Sequence, residues 1–173
     1  MRKLGIGILA AATLGVATAA WAQAPNDAQI AAIVVAANQV DVDAGKLAAT
    51  KATNPDVKAF GQMMVSDHMG VNKSATDLVT KLGVKPEDNP TAQSLKAGGA
   101  ANVKNLQTLS GAAFDKAYID QEVTYHQAVL DAMDKTLIPN AQNAELKALL
   151  VKVRPAFVAH RDKAKQIQAS LGK

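Results

Sequence analysis

The sequence predicts an all-α fold of four long helices, and three observations support this prediction. Apolar residues recur with the helical period of 3.6 along four segments of roughly 26 to 31 residues. Aromatic residues make up only 3% of the chain, whereas sheets are enriched in aromatic and β-branched side chains. Asparagine, glycine and proline residues, which begin or end helices, lie at the boundaries of these segments.

Length and composition limit the class of protein. With 173 residues, 49% hydrophobic and 20% charged, the chain fits one folded domain and not a disordered one. It has no cysteine, which excludes disulfides, thiolate metal sites and cysteine nucleophiles. No basic patch is interleaved with aromatic residues, so we expect no nucleic-acid partner.

Residues 1–22 have the pattern of a signal peptide. The basic pair Arg2-Lys3 precedes an uncharged apolar run that ends at Ala20-Trp21-Ala22, a small-x-small cleavage site. We expect cleavage after this site, which leaves residues 23–173 as one soluble periplasmic domain without a transmembrane segment. The alternative is an uncleaved membrane anchor, because the apolar run of about 17 residues is near the lower limit for crossing a bilayer.

The first two long helices are predicted to pair. Asn26 is a favourable N-cap for a helix over 26–52. Asn54, followed by Pro55, begins a second helix that ends at Gly83. Because only two or three residues connect these helices, they must run antiparallel as a hairpin.

A long crossover separates this hairpin from a second one. Residues 91–110 predict a weaker helix, because Gly98-Gly99 lies inside it. Helices over 112–137 and 141–171 follow, joined by a short turn, and we expect Pro155 to kink the last one. Two hairpins joined by a crossover of about 28 residues are typical of a ferritin-like four-helix bundle.

Each of the three histidines lies near the apolar face of a different long helix. His126 comes four residues after Glu122, so both side chains share one helical face. Imidazoles and carboxylates in such a layer suit zinc, iron, manganese or copper, so a divalent metal ion is a candidate cofactor. The candidate metal ligands are His68, His126, Asp67, Glu122, Asp41 and His160.

Ideal helix geometry predicts which of these residues are level. At a rise of 1.5 Å per residue, Asp41, His68 and His126 lie at about the same height. The same estimate places His160 about 12 Å further along the axis, nearer to Tyr118, so we expect it outside a shared site.

Other chemistries have less support in the sequence. The di-iron pattern of ferritins needs Glu-x-x-His, which does not occur in this chain. Neighbouring methionines suit copper, but methionine at helical spacing is more often core packing. Neither Gly-x-Ser-x-Gly nor a glycine-rich phosphate loop is present, and the adjacent residues Ser66-Asp67-His68 cannot form a triad on one helix. The methionines concerned are Met63, Met64, Met69 and Met133.

Basic residues accumulate at the end of the chain. Residues 141–173 contain seven lysines and arginines but only two acidic residues. Such a helix face is either simply solvated or binds an envelope partner through its charge.

Three sequence stretches resemble an exported bacterial family, DUF4142, a domain of unknown function. They are FGQMMVSDH at 60–68, SGAAFDKAYIDQEVTYH at 110–126 and RPAFVAH at 154–160. The resemblance covers 25–171 and implies a ferritin-like bundle outside the cytoplasm, in some members labelled outer-membrane. It also implies a histidine at each of the three positions found here, but no established activity.

The sequence therefore favours an exported envelope protein without a clear enzymatic activity, with a stress-protective or binding role. In this interpretation the buried polar layer fixes helix register and orientation. The alternative is a bundle that binds iron, zinc or copper through the histidines and carboxylates of that layer.

Overall fold

A computed structural model describes residues 24–172, and this part of the chain contains helices and no strand. The all-α prediction is therefore confirmed. The predicted signal peptide lies outside the described residues. Among the described helices, none combines the length and the hydropathy needed to cross a membrane.

Helices α1 (Asp27–Lys51) and α2 (Pro55–Lys81) form the first hairpin. Asn26 and Gln29 form a capping box at the start of α1, in which each side chain accepts a hydrogen bond from the main-chain N–H of the other. Asn54 caps α2 by accepting from two main-chain N–H groups. The predicted boundaries therefore agree with the structure to within one or two residues.

The two helices of this hairpin touch through their backbones. A Cβ atom at Gly45 would lie 2.8 Å from the carbonyl oxygen of Gly61. A Cβ atom at Gly61 would lie 2.7 Å from the Cβ of Ala48. Only glycine allows an approach this close, so these two positions set the distance between α1 and α2.

The crossover contains helix α3 (Pro90–Thr108), which packs against α1. It is continuous through both of its internal glycines. A Cβ atom at Gly99 would lie 2.7 Å from Cγ2 of Val40, whereas Gly98 faces open space. One of the two glycines that weaken the helix therefore lets it approach α1.

The second hairpin consists of α4 (Gly111–Ala132) and α5 (Ala144–Leu171). The path of α4 continues through a π-helical turn, Met133–Leu137, and a last short turn, Ile138–Asn140. Pro139 cannot donate a main-chain hydrogen bond. The Asn140 side chain donates to the carbonyl oxygen of Thr136 at 2.7 Å. Helix α5 runs through Pro155 without interruption.

Each hairpin supplies an aspartate that holds the turn of the other. Asp115 of α4 accepts hydrogen bonds from the main-chain N–H groups of Thr53 and Asn54, at 3.0 and 2.8 Å, and from the Thr53 hydroxyl at 2.6 Å. Asp27 of α1 accepts from the N–H groups of Gln142 and Asn143, both at 2.9 Å. We call these two contacts the turn clamps.

Buried residues form two apolar clusters with polar residues between them. One cluster lies toward the α4–α5 turn and includes Ile30, Leu130, Leu150 and Phe157. The other lies toward the α1–α2 turn and includes Phe60, Phe114, Tyr118 and Ile167. Along α1, α4 and α5 the sequence passes from one cluster to the other through buried polar residues. This polar layer consists of Asn38, Asp41, His68, Glu122, His126 and His160.

Candidate metal centre

The three histidines meet in the polar layer. The ring centroids of His68 and His126 are 5.6 Å apart, and those of His68 and His160 are 5.1 Å apart. The His126 and His160 rings are 5.5 Å apart. All three side chains are almost fully buried. The expectation that His160 lies about 12 Å away from the other two is therefore wrong.

The position of the α4–α5 connection explains why His160 lies beside the other two histidines. The expected height of His160 placed the turn between the helices at Pro139 and Asn140. The helical path instead continues to Asn140, and α5 begins only at Ala144. His126 lies 14 residues before Asn140, and His160 lies 16 residues after Ala144. A difference of two residues corresponds to about 3 Å along the axis, so the two rings can meet.

The protonation of His68 is fixed by Asn38, a residue that the sequence analysis did not select. The Asn38 amide nitrogen donates to the Val34 carbonyl oxygen at 2.7 Å, so its oxygen faces the ring. His68 Nδ1 lies 2.7 Å from that oxygen and must therefore donate. Burial lowers the pKa of His68 to about 2, so the ring is neutral and Nε2 carries no proton.

The other two histidines are oriented in the same manner. His126 Nδ1 donates to the main-chain oxygen of Glu122 at 3.0 Å. His160 Nε2 donates to the Asp67 carboxylate at 2.9 Å. Burial lowers the pKa of His160, although the hydrogen bond with Asp67 acts in the opposite direction. Asp67 is about half exposed, so it is the member of this group that solvent reaches.

One nitrogen of each ring remains without a hydrogen-bond partner. These are Nε2 of His68, Nε2 of His126 and Nδ1 of His160. One ligand nitrogen from each ring lies within 4.8 Å of one from each of the others. Buried ring nitrogens without a hydrogen-bond partner are unfavourable unless water or a cation lies beside them. Neutral imidazoles are also the form that binds metal ions.

In each of the three rings, a carboxylate lies near the nitrogen that donates a hydrogen bond. Asp41 Oδ2 is 3.5 Å from His68 Nδ1, and Glu122 Oε2 is 3.3 Å from His126 Nδ1. Asp67 Oδ2 is 2.9 Å from His160 Nε2. Metal-binding histidines in proteins commonly have such a partner, because it fixes the ring and increases its basicity. Burial, together with the charge of Glu122, raises the pKa of Asp41 well above its ordinary value.

Phe157 covers the histidines on the side of one apolar cluster. Its ring centroid is 5.1 Å from that of His68 and 5.9 Å from that of His126. This aromatic wall keeps the surroundings of the three rings apolar. A polar cluster with an apolar wall has a low local dielectric, in which charge interactions are strong.

The structure separates the remaining candidates from this centre. Met69 is 54% exposed, while Met64 and Met133 belong to the two apolar clusters. Asp43, at a similar height to Asp41, is exposed and accepts a hydrogen bond from Gln39. A polar residue at position 38, three before Asp41 on an otherwise apolar face, was the signal by which Asn38 could have been found.

Comparison with known proteins gives one family. Neither the curated proteins nor the solved structures contain a match to this chain. The model of the family called Domain of unknown function (DUF4142) matches residues 12–167, which is most of the sequence and includes every residue of the candidate centre. This chain therefore belongs to the DUF4142 family.

Proposed function

We propose that this chain is an exported protein of the bacterial cell envelope that binds a divalent transition-metal ion through His68, His126 and His160. The observation that carries the proposal is that three buried histidines bring one ring nitrogen each within 4.8 Å of the others, while each ring has a nitrogen without a hydrogen-bond partner. No donor among the described residues satisfies them. A metal ion supplies what all three nitrogens lack, at a distance of about 2.0 to 2.1 Å from each.

The arrangement of the helices supports a ferritin-like bundle. Two hairpins, α1–α2 and α4–α5, are joined by a crossover that contains α3. Ligands in bundles of this class come from facing helices and project into the core. Here the three histidines come from α2, α4 and α5, and Asp41 comes from α1.

The donor set limits the metal. Three imidazoles without sulfur suit zinc, iron(II), copper(II) or nickel. Three protein ligands also leave a coordination position open for water or another small ligand, as in catalytic zinc sites. The buried carboxylates near the rings balance part of the positive charge that the ion would bring into the apolar interior.

Elemental analysis tests the proposal directly. The protein is purified from its native envelope without an affinity tag, beside the variants His126→Ala and Asp131→Asn. Asp131 lies on the same helix as His126, but it is exposed and paired with Lys135, so its variant is the matched control. We expect at least one equivalent of metal in the wild type and the control, and its loss in His126→Ala.

The opposite result would assign the layer a different role. If the wild type contains no metal and takes up neither Zn²⁺ nor Fe²⁺, the histidines serve only to fix the helices in register. Export is tested separately by sequencing the amino terminus of the envelope protein, which should begin after Ala22. A chain that keeps its first residues would contradict the proposed cleavage.

A further inference from the structure

A second set of buried donors lies beside the three histidines. One ligand atom from each of Asp41, Glu122 and His126 lies within 4.8 Å of the others. Asp41 and Glu122 come from different helices, α1 and α4, and are 1% and 2% exposed. Two neighbouring buried carboxylates repel each other, so a shared proton or a cation must compensate their charge.

The oxygen atoms of this set lack partners. Both carboxylate oxygens of Asp41 and Oε2 of Glu122 are buried and accept no hydrogen bond. The hydroxyl group of Tyr118, which neighbours Glu122, is fully buried and also without a partner. Among the described residues, every ion pair of a lysine or arginine is with an acidic residue other than Asp41 or Glu122. Four buried oxygen atoms of these three residues therefore have no hydrogen-bond partner within the described part of the chain.

We propose that a second divalent cation binds between Asp41 and Glu122, next to the ion at the three histidines, and that the ring of His126 lies between the two ions. This inference rests on the proposed function and extends it from one ion to two. Two carboxylates and one imidazole suit manganese, iron or zinc. We call the three-histidine centre the first position and the site between Asp41 and Glu122 the second. The first position has only nitrogen ligands and therefore prefers softer ions than the second.

His126 can offer one nitrogen to each position because Nδ1 and Nε2 point away from the ring in diverging directions. Nε2 has no partner and is available to the first ion. Nδ1 lies 3.3 Å from Glu122 Oε2, on the side of the second position. When an ion binds there, the Nδ1 proton, which now bonds to the Glu122 carbonyl oxygen, is released to solvent.

Counting bound ions tests this inference. Metal-free protein is loaded with Zn²⁺, freed of excess by gel filtration, and examined by native mass spectrometry and elemental analysis. We expect two equivalents in the wild type and one in Asp41→Asn. Asp43→Asn is the matched control, since Asp43 lies two residues further along the same helix but is exposed. It should retain both ions.

Glu122→Gln provides a second route if Asp41→Asn does not fold, which circular dichroism shows, and it should also bind one ion. His160→Gln should lose the first ion and keep the second. One equivalent in the wild type, unchanged in Asp41→Asn and Glu122→Gln, overturns the second site but leaves the three-histidine centre intact. Two equivalents in both carboxylate variants also overturn it. No bound ion in the wild type contradicts both proposals.

Discussion

The two hairpins hold their helices together in different ways. In α1–α2 the backbones meet at Gly45 and Gly61, where no Cβ atom fits. In α4–α5 no glycine follows Gly111 until the helices end, and large side chains such as Ile119, Leu150 and Phe157 fill the interface. The first hairpin is therefore sensitive to atoms added at Gly45 and Gly61, and the second to atoms removed from its buried side chains. The candidate ligands of α1 and α2 therefore lie on two helices whose separation is fixed by direct backbone contact.

The largest effect is expected from removing volume in the second hairpin. Leu150 is 1% exposed in the cluster near the α4–α5 turn. Leu150→Ala should lower the free energy of unfolding by about 2 to 5 kcal/mol, through lost apolar burial and the cavity that remains. Urea unfolding of metal-free protein measures this, with Val151→Ala as control because Val151 is 53% exposed. Equal midpoints for the two variants would contradict the packing described for this hairpin.

Adding a single methyl group should break the first hairpin's contact. Gly61→Ala brings a Cβ atom within 2.9 Å of the main-chain nitrogen of Ala49, so the helices must separate, at a cost of about 1 to 3 kcal/mol. Gly70→Ala, on the same helix, has no atom within 4 Å of the new Cβ and should instead stabilise by about 0.5 to 1 kcal/mol. Urea unfolding measures both changes. If both variants were stabilised, or both destabilised, the close approach of α1 and α2 at Gly61 would be refuted.

Two residues of the first hairpin, His68 and Asp41, give the stability of the protein opposite dependences on pH. Because the pKa of His68 is about 2 in the folded protein and 6.5 ordinarily, its effect on stability is absent above pH 6.5 and becomes more unfavourable as the pH falls. Asp41 has the opposite effect, since its raised pKa lets the folded protein hold a proton that the unfolded chain releases above pH 3.8.

Asp41→Asn should therefore make metal-free protein lose stability more steeply on acidification. Between pH 6 and 4.5 the slope should exceed that of the wild type by up to about 1.4 kcal/mol per pH unit, which corresponds to one proton. Urea unfolding at several pH values in the presence of a chelator gives both slopes. Parallel curves would show that Asp41 does not hold a proton in the folded state.

The turn clamps should give the smallest effects, with a measurable difference between them. Asp115 is 2% exposed and accepts three hydrogen bonds, whereas Asp27 is partly exposed and accepts two. Asp115→Asn should cost about 1 to 2 kcal/mol and Asp27→Asn about 1 kcal/mol or less, because solvent can replace the bonds of Asp27. A larger decrease in the unfolding midpoint for Asp27→Asn than for Asp115→Asn would show that the α4–α5 turn depends more on its clamp than the α1–α2 turn does.

Local signals made the helices predictable. Asn26 and Asn54 each cap a helix as expected, and Gly83, with φ of 64°, follows the end of α2. The fourth connection was harder to predict, since Pro139 lies inside the helical path rather than at a turn. A proline in the last turn of a helix and a proline in a loop have the same sequence signal.

The histidines and carboxylates of the candidate centre were selected from the sequence, but their arrangement was predicted only in part. His68, His126 and Asp41 were expected at one level, and the structure places them in one layer together with His160. The height of His160 depends on where α5 begins, and that position is fixed by Asp27 at the other end of the sequence. Contacts between residues so far apart in the chain leave no periodic pattern to read.

The Asp27 clamp has a consequence for the order of folding. Its hydrogen bonds join residues separated by 115 and 116 positions. A nascent chain that has reached Asn140 can form α1 and α2, but the first turn of α1 still lacks its partners and the layer still lacks His160. Contacts this distant in sequence form late and slow the folding of a chain. Helix α1 therefore reaches its final position only after almost the whole polypeptide has been synthesised.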